Sequence, residues 1–130
     1  MNDIKSGDVS FRRLKKDDVT TLPSLEMDYT KGEVFLIISE DIVVGAIRYT
    51  FAKGNYIKIE NIKIFQEYRR SGLGTKAVLL LKNTFEGCAF YGEILYIRAF
   101  QFWRSFKPYF NSSEGLDYFD ENWGCDFFLE

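Results

Sequence analysis

The chain has 130 residues, 46% hydrophobic and 18% aromatic, a length that suits one domain and a composition that supports a packed core. Its 17 basic and 19 acidic residues leave a net charge of −2, without the basic excess of a nucleic-acid binder. It has no histidine, which excludes an imidazole base, a Ser-His or Cys-His pair and any zinc site that needs His.

Val9–Leu14 reads as a first strand. Asp17 and Asp18 precede Val19, Leu22 and Leu25, the pattern of a short capped helix that Pro23 interrupts or tightens. Val34–Ser39 and Ile42–Phe51 are rich in β-branched residues and separated only by Glu40-Asp41. They predict a hairpin whose turn pair is not the favoured Asn-Gly. Lys53-Gly54-Asn55 marks a second turn, and Tyr56–Phe65 a third consecutive strand. The period then changes. Ala77, Val78, Leu80, Leu81 and Phe85 make one apolar face of a helix over Thr75–Phe85, with Gly87 as its left-handed cap. Glu93–Ala99 predicts another strand, and Phe100–Phe106 a short aromatic helix stopped by Pro108. Leu116–Phe119 and Cys125–Leu129 predict terminal strands around Asn122-Trp123-Gly124. Successive strands ahead of the main helix indicate an α+β class, a mixed sheet beginning with antiparallel hairpins.

Cys88 and Cys125 are far apart and form no C-x-x-C pattern, so they read as small buried hydrophobes in a reduced, cytoplasmic setting. The longest apolar runs, Val34–Ile38 and Ala77–Leu81, are far short of the roughly 20 residues that span a membrane. Met1–Phe11 has no apolar stretch of the signal-peptide kind. Neither membrane nor nucleic acid is expected as a partner, and no metal site is expected.

Tyr56–Leu81 carries the chemistry. Adjacent Arg69 and Arg70 follow the strand, and Gly72-Leu73-Gly74 opens the helix. A helix N-terminus offers free N–H groups and partial positive charge, glycines let an anion approach the backbone, and arginines add charged donors. A pyrophosphate cradle fits this combination, and so does a Gly-rich turn with two solvated arginines. Gly72–Ala77 matches G-x-G-x-x-G/A formally, but polar residues separate it from the strand, and Glu93 falls at the start of the next predicted strand rather than its end. A P-loop pattern is absent. Within the strand, Ile57 and Ile59 share one parity, and Ile62 and Ile64 the other. Such a slip at Glu60-Asn61 fits a β-bulge, or a strand apolar on both faces.

Arg69-Arg70-Ser71-Gly72-Leu73-Gly74 resembles the Q/R-x-x-G-x-G/A signature of the GCN5-related N-acetyltransferase (GNAT) family, and Phe102-Trp103-Arg104-Ser105-Phe106 resembles its F-Y/W-x-x-L helix. The element order agrees over nearly the whole chain. The resemblance implies a single GNAT-like domain over residues 1–130: a mixed, mostly antiparallel central sheet flanked by helices, splayed between its fourth and fifth strands. It implies acetyl-CoA as cosubstrate, with the backbone of Ile62, Lys63 and Ile64 along the pantetheine. The N–H groups from Arg69 or Arg70 through Ser71, Gly72, Leu73 and Gly74 to Thr75 would hold the pyrophosphate. It also brings Trp103 to the cofactor, at the position where the family often has a thiolate-protonating tyrosine. With no histidine, a carboxylate is the base to expect, and Glu60 stands where the family is often acidic. The family's proline before the glycine loop is Gln66 here, and the glycine usually following its aromatic helix is Lys107.

Two functions fit these residues. One is an acetyl-CoA-dependent N-acetyltransferase in which a primary amine attacks directly in a ternary complex. The other is a non-catalytic acyl-CoA-binding or interaction module on the same fold. The acceptor, a small-molecule or protein amine, is not legible, and edge strands with exposed aromatics admit a homodimer.

Overall fold

Glu40 and Asp41 are the whole connection between β2 (Glu33–Ser39) and β3 (Ile42–Phe51). Both have positive φ, 51° and 65°. A two-residue hairpin loop of the mirror-image type needs this at both central positions, so non-glycine residues hold a geometry that usually selects Asn-Gly. The coordinates are a computed structural model that describes residues 9–21 and 30–130. Leu22, Pro23 and Leu25, and the residues before Val9, lie outside the described residues.

The architecture is α+β. Six strands form a mixed sheet in the order β1-β2-β3-β4-β5-β6, where β1 is Ser10–Arg13, β4 Tyr56–Ile64, β5 Ala89–Ile94 and β6 Cys125–Leu129. The helices are α1 (Asp18–Thr21), α2 (Leu73–Thr84) and α3 (Ile97–Arg104). None of the helices described is long and apolar enough to cross a membrane. The chain divides into two compact units. The first comprises residues up to Thr50 with Asn61–Glu86, the second Phe51–Glu60 with Gly87–Glu130.

In the first unit, β1 pairs antiparallel with β2, and β2 with β3. The facing positions Phe35 and Ile47 lie on the sheet side that also carries Tyr49 and Phe11. Phe11 stacks on Phe35 at 4.8 Å, and Phe85, just past α2, packs on Phe35 and Tyr49 at 6.4 and 5.3 Å. α2 buries Leu73, Ala77, Val78 and Leu81, spaced at 3–4 residues as one helical stripe. The opposite sheet side has its own core of Val34, Leu36, Ala46 and Phe65, with Leu14 and Tyr68 packed against it. β1 is tied to α1 by the Arg12 guanidinium, which donates to both oxygens of Asp18 at 2.9 and 3.1 Å, while the Lys15 N–H donates to Oδ2 at 2.7 Å.

The second unit is built on β5 and β6, antiparallel from Phe90↔Leu129 to Ile94↔Cys125. Ile57, Ile59, Phe90, Ile94, Phe127 and Leu129 are buried, together with Trp103 and Phe106. Trp103 stacks on Phe127 at 4.3 Å and 20°. An aromatic pair of this kind adds about 0.5–1.5 kcal/mol beyond its area burial.

Three predicted elements differ. The strand placed at Glu93–Ala99 is Ala89–Ile94, and α3 starts at Ile97 instead of Phe100. The apolar run Leu95-Tyr96-Ile97 looks like a strand but is exposed. Phe90 provides the inward anchor instead. Leu116–Phe119 is not a strand. The segment just before it runs along β6, with the Phe128 N–H donating to the Glu114 carbonyl at 2.9 Å and the Glu130 N–H to that of Ser112 at 3.1 Å. Gly115 makes this approach feasible, because a Cβ there would lie 1.9 Å from the Asp126 carbonyl oxygen.

The Arg12 hydrogen bonds, then the Lys15 N–H, hold the Asp18 carboxyl below its ordinary pKa. A carboxyl depressed in the folded state stabilises fully above its unfolded pKa of about 3.9, and that stability is lost as pH falls through the folded value. Asp18→Asn is therefore expected to lower the melting temperature at pH 7 by the equivalent of about 1 kcal/mol. In a melting series, the gap to the parent chain should close as acid takes the pH below about 4.

Candidate functional site

β4 is the strand on which the predicted site rests, and its two ends are out of step with β3. Near the turn, the Ala52 N–H donates to the Tyr56 carbonyl at 2.9 Å; at the far end, the Phe65 N–H donates to the Val44 carbonyl at 2.8 Å. Val44 to Ala52 is a step of eight residues, and Tyr56 to Phe65 a step of nine. In an antiparallel ladder these steps match, so β4 holds one extra residue, the signature of a bulge. The extra residue lies between Tyr56 and Phe65, the stretch that holds the parity slip at Glu60-Asn61. Ile57 and Ile59 are buried, whereas residues from Glu60 to Ile64 are all half-buried.

The parallel pairing of β4 with β5 covers Tyr56↔Ala89, Ile57↔Phe90 and Lys58↔Tyr91. It does not continue to Ile59 or Glu60, although β5 runs on to Ile94. The Glu60 side chain lies on the same side of β4 as that of Lys58, whose Nζ is 3.5 Å from Glu60 Oε1 and 3.2 Å from Glu93 Oε1. The Glu93 hydrogen bond, with both carboxylates' charge behind it, holds the Lys58 ammonium above its ordinary pKa, so it stays charged.

Beyond β4, Gln66–Tyr68 makes one 3₁₀ turn and the chain reverses into α2. Arg69 does not project freely, because its Nε donates to the Ile64 carbonyl at 2.8 Å, and Ser71 Oγ donates to the Tyr68 carbonyl at 2.6 Å. These bonds brace the loop against the end of β4. Arg70 has φ 65° and Gly72 φ 78°, with Ser71 at negative φ between them. This alternation turns successive N–H groups toward one side, the geometry of an anion-binding nest. Gly72 is the N-cap of α2 and offers no side-chain cap. The first helical hydrogen bond runs from the Lys76 N–H to the Gly72 carbonyl at 3.1 Å, so the N–H groups of Leu73, Gly74 and Thr75 have no partner within the helix. A Cβ at Gly72 would meet nothing within 4 Å.

Residues 8–104 match the model of the acetyltransferase (GNAT) family. The chain belongs to this family.

Solved structures agree in fold with this acetyltransferase. A protein of Arabidopsis thaliana in complex with the bisubstrate analogue CoA-Ac-MVNAL is 18% identical, with a TM-score of 0.64 over 95% of this chain and 98% of that one. A Bacillus anthracis acetyltransferase in complex with acetyl coenzyme A is 14% identical, with a TM-score of 0.66 over 95% and 99%. An acetyltransferase from Thermus thermophilus is 13% identical, with a TM-score of 0.69 over 95% and 96%. No curated protein matches the sequence.

The predicted site residues fall into both units of the acetyltransferase. Ile62, Lys63, Ile64 and the run Arg69–Thr75 belong to the first, and Glu60 and Trp103 to the second. Trp103 is 5% exposed, its ring enclosed by Phe102, Phe106 and Phe127. Tyr96 does not lie on β5 but caps α3, and it is exposed, as is Tyr109. Sequence reasoning gave Lys58 no role and weighed Glu93 only for ribose recognition. The alternation Tyr56, Lys58, Glu60 on one strand carried the signal, since period-2 spacing puts all three on one face.

Gly45 fixes the approach of β3 to this end of β4, because a Cβ there would lie 2.1 Å from the Lys63 carbonyl oxygen. Gly45→Ala must push the two backbones apart. It is expected to lower the unfolding free energy by about 1–3 kcal/mol, measured as a reduced urea midpoint.

Proposed function

We propose that the chain is an acetyl-CoA-dependent N-acetyltransferase, a single working domain over its 130 residues. In this reading a primary amine attacks the acetyl thioester directly in a ternary complex. The observation that carries it is the uncapped N-terminus of α2, reached through the alternating loop Arg70-Ser71-Gly72 directly after the bulged strand β4. Family membership and the CoA ligands of the solved relatives support the same reading.

The residues fit the cosubstrate. The N–H groups of Leu73, Gly74 and Thr75 have no partner within the helix, and a pyrophosphate is an anion that such donors and the helix dipole favour. Arg69 holds the loop shut against Ile64, while exposed Arg70 adds charge. The half-buried backbone of Ile62, Lys63 and Ile64 lines the pantetheine, and Trp103 stays among the cofactor contacts that the family resemblance assigns. Acetyl-CoA supplies the activated acyl group. The bulge beside Glu60 frees a backbone donor for the carbonyl oxygen as it gains negative charge.

Glu60 is the general base. The acceptor arrives as an ammonium ion and gives one proton to the carboxylate. Its nitrogen lone pair forms the bond to the acetyl carbon, the carbon–sulfur bond breaks, and the electron pair leaves on sulfur. The second proton of the nitrogen reaches solvent or the thiolate. Lys58, fixed between Glu60 and Glu93, positions the base. No side chain is required as the acid, since indole N–H donates hydrogen bonds but does not ionise near neutral pH.

Two measurements test this reading. Acetyl-CoA is expected to raise the melting temperature by mass action. Gly72→Asp is expected to keep the fold, because Asp tolerates positive φ and the added atoms meet open space, and to abolish the shift by putting a carboxylate before the donors. A shift as large in the variant as in the parent refutes the cradle. In a CoA-release assay with an amine panel, Glu60→Gln is expected to lower turnover by roughly 10²–10⁴-fold with acetyl-CoA binding intact. The absence of turnover with every amine would favour the non-catalytic acyl-CoA-binding module.

A further inference from the structure

The β4–β5–β6 sheet has one side packed with Ile57, Phe90, Phe127 and Trp103 and another that no described helix covers. On this second side is a basin of about 940 Å³. Its floor is aromatic: the Tyr56 ring lies 6.4 Å from Tyr91, edge-on, and 5.9 Å from Phe128. Tyr91 faces Phe128 across β5 and β6, and one step along the same strands Glu93 faces Asp126.

Carboxylates directly opposite one another destabilise an antiparallel pair. Glu93 turns to Lys58, while Asp126 has no cation within ion-pair distance among the described residues. Glu114 stands beside them, brought to β6 by the hydrogen bond from Phe128 N–H to its carbonyl. Glu93, Glu114 and Asp126 line the basin against the two ammonium groups of Lys53 and Lys58, and Glu60 lies 3.5 Å from Lys58, so carboxylates outnumber ammonium groups around the aromatic floor. The π faces of such rings attract organic cations, and carboxylates at the edge complete their neutralisation.

We infer that this face binds an extended organic dication, one ammonium toward Glu60 and Glu93 and the other at Asp126 and Glu114, with its hydrocarbon chain across Tyr91 and Phe128. Adjacent strands are about 4.8 Å apart, so the two poles lie roughly 10 Å from each other. The inference rests on the proposed function: the dication is the amine acceptor, the nitrogen near Glu60 is acetylated, and the far ammonium sets specificity. A neutral chain would cover the rings equally well but bring no positive charge to Asp126 and Glu114.

Calorimetry on the full chain at low salt compares a linear eight-carbon diamine with octylamine. The diamine is expected to bind at least about 10-fold more tightly and to lose that advantage as salt rises. The exposed pair Asp126→Asn with Glu114→Gln is expected to remove the advantage while leaving octylamine binding and the acetyl-CoA melting shift unchanged. Equal affinity for the two amines in the parent chain, or a diamine preference that survives the double substitution, overturns the inference. The acetylation assay separates it from the reading beneath it. Diamine that binds with the expected preference and is not acetylated upholds the cation face and refutes its role as acceptor site. Acetylation of both amines with equal KM leaves the acetyltransferase standing and refutes the cation face.

Discussion

β4 and β5 are parallel, and parallel neighbours cannot be joined by a tight turn. The chain must leave the end of β4, cross over, and re-enter at the start of β5, and α2 is that crossover. The helix therefore begins where β4 ends, and its free N–H groups gather at that end of the strand. Everything else at this point refines the same geometry. The Gln66–Tyr68 turn shortens the path, Arg69 pins it to Ile64, and the positive φ of Arg70 and Gly72 sets the direction of the donors. A cluster of N–H groups without helical partners follows from the connection.

The extra residue in β4 belongs to the same arrangement. A regular strand would keep Ile57, Ile59 and the following odd positions on one face. With the bulge, Ile57 and Ile59 bury themselves in the second unit, while the opposite parity at Ile62 and Ile64 serves the first. One strand thus contributes to two compact units, and the residues at the changeover, Glu60 and Asn61, are spared from either core. Half-buried residues on a rigid strand are well suited to chemistry, because the scaffold fixes them and packing does not consume them.

Much of this was legible in the sequence because it depends on local patterns. The β2–β3 hairpin and β3 itself have the predicted bounds, and β4 and α2 differ only by one or two residues at their ends, since β-branched runs and a 3–4-residue apolar stripe are strong signals. The glycine loop and the parity slip were readable for the same reason. The C-terminal third was harder. Leu95-Tyr96-Ile97 has strand composition, yet the structure leaves it exposed, and only tertiary packing tells that Phe90 is the anchor. Residues 111–114 run along β6 by backbone hydrogen bonds that no side-chain pattern announces. Trp103 was legible as part of an aromatic helix, but its stacking on Phe127 depends on a strand over 20 residues away.

On the proposed reading, a chain without histidine places its proton chemistry on a carboxylate of β4. Lys58 is flanked by two carboxylates and is held charged by them. In the proposed reading, Glu60 lies 3.5 Å from that fixed ammonium and takes the proton of an acceptor that arrives as a cation. The negative charge draws the ammonium in, and the proton needs to leave only as the nitrogen bonds to carbon. A half-exposed Glu60 beside a paired lysine is therefore consistent with an acceptor recognised by its charge, and the uncovered aromatic face next to it extends the same logic to the rest of that molecule.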